Sequence, residues 1–188
     1  MSVTIAAIAG SLRAGSHSRA LLRAAARDLP PDIRLVIWDG LEHVPPYSED
    51  LEAGTAPAGV AVLRRLIAGA AAVLIVTPEY NGSIPGQLKN ALDWASRPRG
   101  AAVLEGKPTA AISASPSPRG GSWALADLRK VLTVIGADLT GTELAVPQVH
   151  TQFTPGGRIA DPALRDRITR LISDLAQRAL AASPALAA

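Results

Sequence analysis

The chain has 188 residues, 48% of them apolar and 19% charged, with a formal net charge of +3 and no cysteine. This is the size of one α/β domain, able to bury roughly 70% of its unfolded surface, and the lack of cysteine excludes disulfides, thiolate metal sites and cysteine nucleophiles. His17, His43 and His150 lack metal-ligand spacing, Lys and Arg form no basic run for nucleic acid, and no apolar run approaches the ~20 residues of a membrane span.

The predicted elements alternate. Val3 to Ala9 is a near-continuous apolar run closed by Gly10 and preceded by no positive charge, so it is expected as a strand buried on both faces, not a signal peptide, and the protein as cytoplasmic. From Ser18 to about Leu29, Leu21, Leu22, Ala25 and Leu29 recur near helical spacing until Pro30 and Pro31 stop the helix. Ile33 to Trp38 is the second strand, followed by a Pro-rich loop and a helix over Gly59 to Ala68. Ala70 to Val76 is the third strand. A helix carrying Leu88, Ala91, Leu92 and Ala95 runs up to Pro98, and Thr109 to Ser113 is the fourth strand. Trp123 to Ile135 is a helix, Leu139 to Val146 the fifth strand, and Pro162 to about Leu180 the last helix, capped by Asp161. The pattern predicts a doubly wound five-stranded parallel sheet with helices on both faces, one domain over 1–181, and a tail over 182–188 that frays.

In such sheets ligands collect where strands end and strand order reverses. Three loops leave these ends. The first, GSLRAGSHS from Gly10 to Ser18, joins small residues, hydroxyls, a guanidinium and a helix start, which together suit a phosphate; the plainer alternative is a tight turn with Ser18 as N-cap. The Walker pattern is nearly spelled but lacks its lysine, and the dinucleotide fingerprint fails because Leu12 stands at its second glycine. A single phosphate fits better. The second loop, TPEYNGSIP from Thr77 to Pro85, is rigid and offers Tyr80 to a flat heterocycle, or is simply a hairpin-like turn. The third, SASPSPRGG from Ser113 to Gly121, could line the other side of a planar ligand or be only a polar loop. Trp94 shares a helix face with Leu88 and Leu92 and is expected to pack.

At these loops the chain resembles the NADPH-dependent FMN reductases, the flavodoxin-like family that includes chromate and quinone reductases. GSLRAGSHS and TPEYNGSIPGQLKNALDWASRP carry the resemblance, with PPYSEDLE, the Gly120 and Gly121 pair before LRKVL, and Phe153 before GGRIADPALRDRI as weaker echoes. The resemblance implies that Ser11, Arg13, Ser16, His17 and Ser18 surround the FMN phosphate. It also implies that Pro78, Glu79, Tyr80 and Asn81 border the isoalloxazine, with Ser115, Gly120 and Gly121 nearby. The family commonly carries asparagine where this chain has Ser18, and its members are homodimers or homotetramers. The implied function is an FMN-dependent NAD(P)H oxidoreductase that reduces small acceptors such as quinones, chromate, azo or nitro compounds. No side chain is assigned to acid–base catalysis, because the flavin carries the chemistry. The alternative is a flavodoxin-type electron carrier docking on protein partners, for which a basic chain is poorly suited.

Overall fold

The computed structural model describes residues 2–182; of the predicted tail, all but Ala182 lies outside the described residues. Four strands, β1 (Val3–Ala9), β2 (Ile33–Trp38), β3 (Ala72–Thr77) and β4 (Pro108–Ala114), lie parallel in the order β2-β1-β3-β4. β3 and β4 are buried along their whole length, as central strands of a parallel sheet are, with Thr77, Thr109 and Ser113 buried among their apolar residues, whereas β2 at the edge is only half-buried.

The fifth position differs from expectation. The predicted strand over 139–146 is divided into β5 (Asp138–Leu139) and β6 (Leu144–Val146), both parallel to β4. Pairing passes from Thr109↔Leu139 to Ile112↔Leu144, so five steps on one strand face three on the other and two residues are looped out. Arg129 holds this bulge: its Nη1 donates to the Thr140 carbonyl at 3.2 Å and its Nε lies 2.6 Å from Glu143 Oε1.

Because successive side chains alternate across a strand, the sheet feeds two cores. Ile5, Ala7, Leu74 and Ile112 pack beneath α1 (His17–Ala26) and the C-terminal helix Pro162–Ala182. Ala6, Ile8, Val73, Ile75 and Ala111 face the helices Ala58–Gly69, Gly86–Ala95 and Ser122–Ile135. With the short α2 (Glu49–Glu52) in the Pro-rich loop, these helices are α3, α4, α5 and, at the C-terminus, α6. The helix α1 stops at Ala26, earlier than its apolar spacing suggests, because the Arg27 and Asp28 N–H groups bond three residues back in a tightened last turn. Leu29 still packs on the core from outside the helix. Asp161 caps α6 as expected, its Oδ1 accepting from Ala163 N at 2.9 Å.

Trp94 is fully buried, edge-on to Tyr47 with ring centroids 5.0 Å apart, and its indole N–H donates to Pro45 O at 2.8 Å. It therefore anchors the Pro-rich loop and stands apart from the site. Among the described residues no helix is long and apolar enough to cross a membrane.

Candidate functional site

The central strands place three loops side by side. Ala9 of β1 pairs with Val76 of β3, and Thr77 of β3 with Ser113 of β4, so the chain leaves all three strands at one edge. Strand order reverses there, with β1 turning outward to β2 while β3 and β4 continue on the other side.

In the first loop, Gly10 N donates to Val76 O at 2.8 Å and carries the ladder one step past β1. Ser16 N bonds Arg13 O at 3.1 Å, and Ser16 Oγ accepts from Arg19 N at 3.2 Å. Ser16, not Ser18, is thus the N-cap of α1: its extended backbone aims the hydroxyl at the first turn, whereas Ser18 is already helical. Ser18 is only 1% exposed and its hydroxyl has no partner. The N–H groups of His17 and Ser18, in the first turn, also lack acceptors among the described residues. A buried hydroxyl left unpaired costs about 1–3 kcal/mol, so this end of α1 is built for an acceptor that the polypeptide does not supply.

The second loop is a two-residue hairpin. Tyr80 and Ser83 exchange backbone hydrogen bonds of 2.9 and 3.1 Å around Asn81 (φ 52°) and Gly82 (φ 76°), the conformation that an Asn-Gly pair favours. The Tyr80 ring is thereby held out, and its hydroxyl lies 3.3 Å from Ser11 Oγ, joining the first two loops. Glu79 has a task that its position in the sequence did not disclose: Oε2 accepts from Trp123 N at 3.0 Å and Ala124 N at 3.1 Å, capping α5. Its negative charge is partly offset there by the N-terminus of that helix.

The third loop closes against both. Ser115 Oγ accepts from Ser117 N at 3.2 Å, and Ser113 and Ser117 carry further buried hydroxyls without partners. Gly121 has φ 79°, and a Cβ there would stand 3.3–3.4 Å from the Cβ atoms of Glu79, Ser113 and Ser115. At Gly120 (φ 63°) a Cβ would press within 2.7 Å of Pro147 N. The two glycines let the loop close without a steric gap.

Between the loops lies a cleft of about 60 Å³. Ser11, Arg13, His17 and Ser18 line it from one side, Pro78, Glu79 and Tyr80 from another, and Ser115 from the third. Ser16, Asn81, Gly120 and Gly121 stand outside the lining and act on the backbone: one caps, one turns, two admit close approach. Two larger hollows, of about 490 and 540 Å³, lie at the amino ends of the strands and between α4 and α5. In the first, Lys107 Nζ donates to Ala70 O at 2.8 Å; in the second, Lys89 pairs with Asp93 at 2.6 Å beside Arg99 and Lys130; neither hollow is lined by any of the three loops.

The cleft is cationic. Arg13 is exposed and makes no ion pair among the described residues. Arg19 Nε lies 2.8 Å from Asp39 Oδ1, a charge contact whose angle falls short of a hydrogen bond. Burial, then the charge of Arg13, then that of His150, hold His17 below the ordinary imidazole value. His150, which the sequence does not single out for the site, stands outside the residues lining the cleft but close enough for its charge to bear on His17. A guanidinium, free helix N–H groups and orphan hydroxyls, with the one carboxylate bonded to the start of α5, fit the phosphate end of FMN.

Comparison with known proteins agrees with this chemistry. Residues 3–151 match the family model of the NADPH-dependent FMN reductases. An NAD(P)H-dependent FMN reductase of Pseudomonas aeruginosa is 36% identical over 174 residues, covering 92% of this chain and 93% of that protein. A 2-hydroxy-1,4-benzoquinone reductase of a Burkholderia species is 44% identical over 166 residues, covering 88% and 90%. Among solved structures, the flavoenzyme NAD(P)H:acceptor oxidoreductase FerB of Paracoccus denitrificans superposes with a TM-score of 0.85 at 31% identity, covering 94% of this chain and 97% of that one. A flavodoxin-like parallel sheet, matched over most of its length by the family model and by these relatives, places this chain in the NADPH-dependent FMN reductase family.

Proposed function

We propose that this chain uses FMN, held by the three loops, to reduce quinones and similar small acceptors with electrons from NADPH or NADH. Family membership makes it an FMN-dependent NAD(P)H oxidoreductase; the quinone acceptor is carried over from the benzoquinone reductase it resembles. The observation that bears most weight is the buried, unpartnered Ser18 hydroxyl beside free first-turn N–H groups.

Bound FMN would supply the redox chemistry that links the nicotinamide to the acceptor. The chain's residues bind and orient. Arg13 supplies the charge opposite the phosphate, Ser11, Ser18 and the α1 N–H groups supply donors, and Ser16 keeps that helix end in place. Tyr80 and Asn81 fix the edge against which the ring rests, Pro78 stiffens it, and Glu79 ties it to α5. Ser115, Gly120 and Gly121 bring the third loop close enough to close the other side. No side chain is needed as an acid or base.

The electron-carrier alternative is not favoured, since the matched proteins are reductases. Homo-oligomeric assembly, one domain over 1–181 and a cytoplasmic location belong to the same reading, supported respectively by the family resemblance, the single sheet and the reduced dinucleotide consumed. An anaerobic visible spectrum of protein reconstituted with FMN and desalted, before and after NADPH, tests it. Retained flavin bands that bleach with NADPH or NADH, and recover on adding a quinone, are expected. Loss of flavin on desalting, or bands that neither nucleotide bleaches, would overturn it.

A further inference from the structure

We propose that His17, in the lining of the cleft, and His150, on a turn hydrogen-bonded to the third loop beside it, form an imidazole pair that grips the FMN phosphate and takes up a proton as the phosphate seats. The proposal rests on the reading of the cleft as the FMN phosphate site.

Gln148 adopts φ 45°, uncommon for a residue other than glycine, and so reverses the chain after β6 into a 3-10 turn over Val149–Thr151. Two hydrogen bonds fasten that turn to the third loop, from Gln148 N to Ser117 O and from Val149 N to Ser115 O, both 3.1 Å. Val149 is buried, while the next residue, His150, is exposed. Ser115 and His17 line the same cleft, so the turn that carries His150 is fastened to a residue of that cleft, close enough for the charge of His150 to bear on His17. A strained backbone that delivers one exposed side chain to a binding cleft points to a role for that side chain.

The other charges around the pair are accounted for. On the first loop, Arg13 faces it; on α1, Arg19 is held by Asp39. From the second loop, Glu79 turns its carboxylate to α5, and the Tyr80 hydroxyl meets Ser11. From the third, Arg119 stacks on the Trp123 ring at 4.8 Å. Among the described residues no carboxylate pairs with either imidazole, and burial first, then the charges of Arg13 and His150, hold His17 below its ordinary value. A phosphate dianion reverses that balance. His17 then accepts a proton from solvent, both imidazoles donate N–H groups to phosphate oxygens, and no bond to phosphorus changes. The ligand itself would do the opposite: a phosphate monoester ionises with a second pKa near 6, and a cationic site drives off any remaining proton. Net uptake therefore has to come from the protein.

Calorimetric titration of FMN into flavin-stripped protein at pH 7, in buffers of different ionisation enthalpy, reads the protons taken up. The expected result is about half to one proton gained per FMN, none with riboflavin, and affinity that tightens as pH falls from 8 toward 6.5. His17→Gln should abolish the uptake; His150→Gln should lessen it and weaken FMN by about three- to tenfold. In the unmodified protein, the NMR titration of the His17 ring should move to higher pH when FMN is added. FMN binding without uptake, or uptake unchanged in both variants, would overturn the proposal and leave the FMN site standing. Failure of FMN to bind the unmodified protein would overturn both.

Discussion

Arg13 and Ser18 separate the demands of binding from those of folding. Arg13 is exposed and makes no ion pair among the described residues, so Arg13→Ala should leave stability nearly unchanged while removing a charge-assisted contact of ~1.5–3 kcal/mol. FMN affinity, measured by flavin fluorescence titration, should fall roughly tenfold or more. Ser18→Ala works in the opposite sense on the empty protein. It deletes a buried hydroxyl that has no partner, so urea unfolding without FMN should show stability equal or higher by about 1 kcal/mol, while FMN binds more weakly. A Ser18→Ala protein that binds FMN as well as before would remove Ser18 from the site. The sequence disclosed these residues as members of a phosphate loop but not their division of labour. Ser16 and Ser18 are equally good caps on paper, and only the backbone angles decide that Ser16 takes the helix end and leaves Ser18 free. His150 was not legible at all, because its place depends on the strained turn at Gln148.

The legible elements were those whose periodicity is set by burial. β1, β3 and β4 are predominantly apolar, with Thr4, Thr77, Thr109 and Ser113 as their polar members, because helices cover both their faces, and their loops follow at once. The fifth strand reads as continuous in the sequence because the two looped-out residues leave no apolar signature; the contacts at the bulge come from Arg129, a residue of α5. At its start, Asp138 accepts hydrogen bonds from Arg178 of α6, one of them from Nε at 2.7 Å, and these hold its carboxyl below the usual value. A depressed carboxyl contributes stability above the unfolded value, which is lost as pH falls through the folded one. Asp138→Asn should therefore lower the melting temperature near neutrality, with the gap to the unmodified protein closing below about pH 4; a gap independent of pH would show that the pair is not its source. Glu79→Gln tests the coupling of loop to helix. Losing the charged cap of α5 should cost about 1 kcal/mol in chemical denaturation and should weaken FMN as well, since the same carboxylate ties the second loop to α5.

Across the whole molecule, the binding apparatus and the folding apparatus share a sheet but little else. The two cores enclose the central strands along their length, while the cleft occupies only the edge where loops depart. Such a chain is expected to fold fully without its cofactor, retaining the far-ultraviolet signature of the sheet and a cooperative melt. FMN then adds stability by mass action alone: at a concentration one hundred times its Kd the gain is about 2.7 kcal/mol. For a chain of this size that corresponds to a rise in Tm of roughly 5–11 °C. Riboflavin offers the ring without the phosphate and forgoes the contacts of Arg13, Ser18 and the α1 terminus, so at equal concentration it should produce a much smaller rise. Differential scanning calorimetry with each ligand distinguishes the cases. Equal shifts from FMN and riboflavin would mean that the ring loops carry the affinity and that the charge gathered at the start of α1 serves another anion. A protein that melts without cooperativity until FMN is added would mean that the loops belong to the folding core after all.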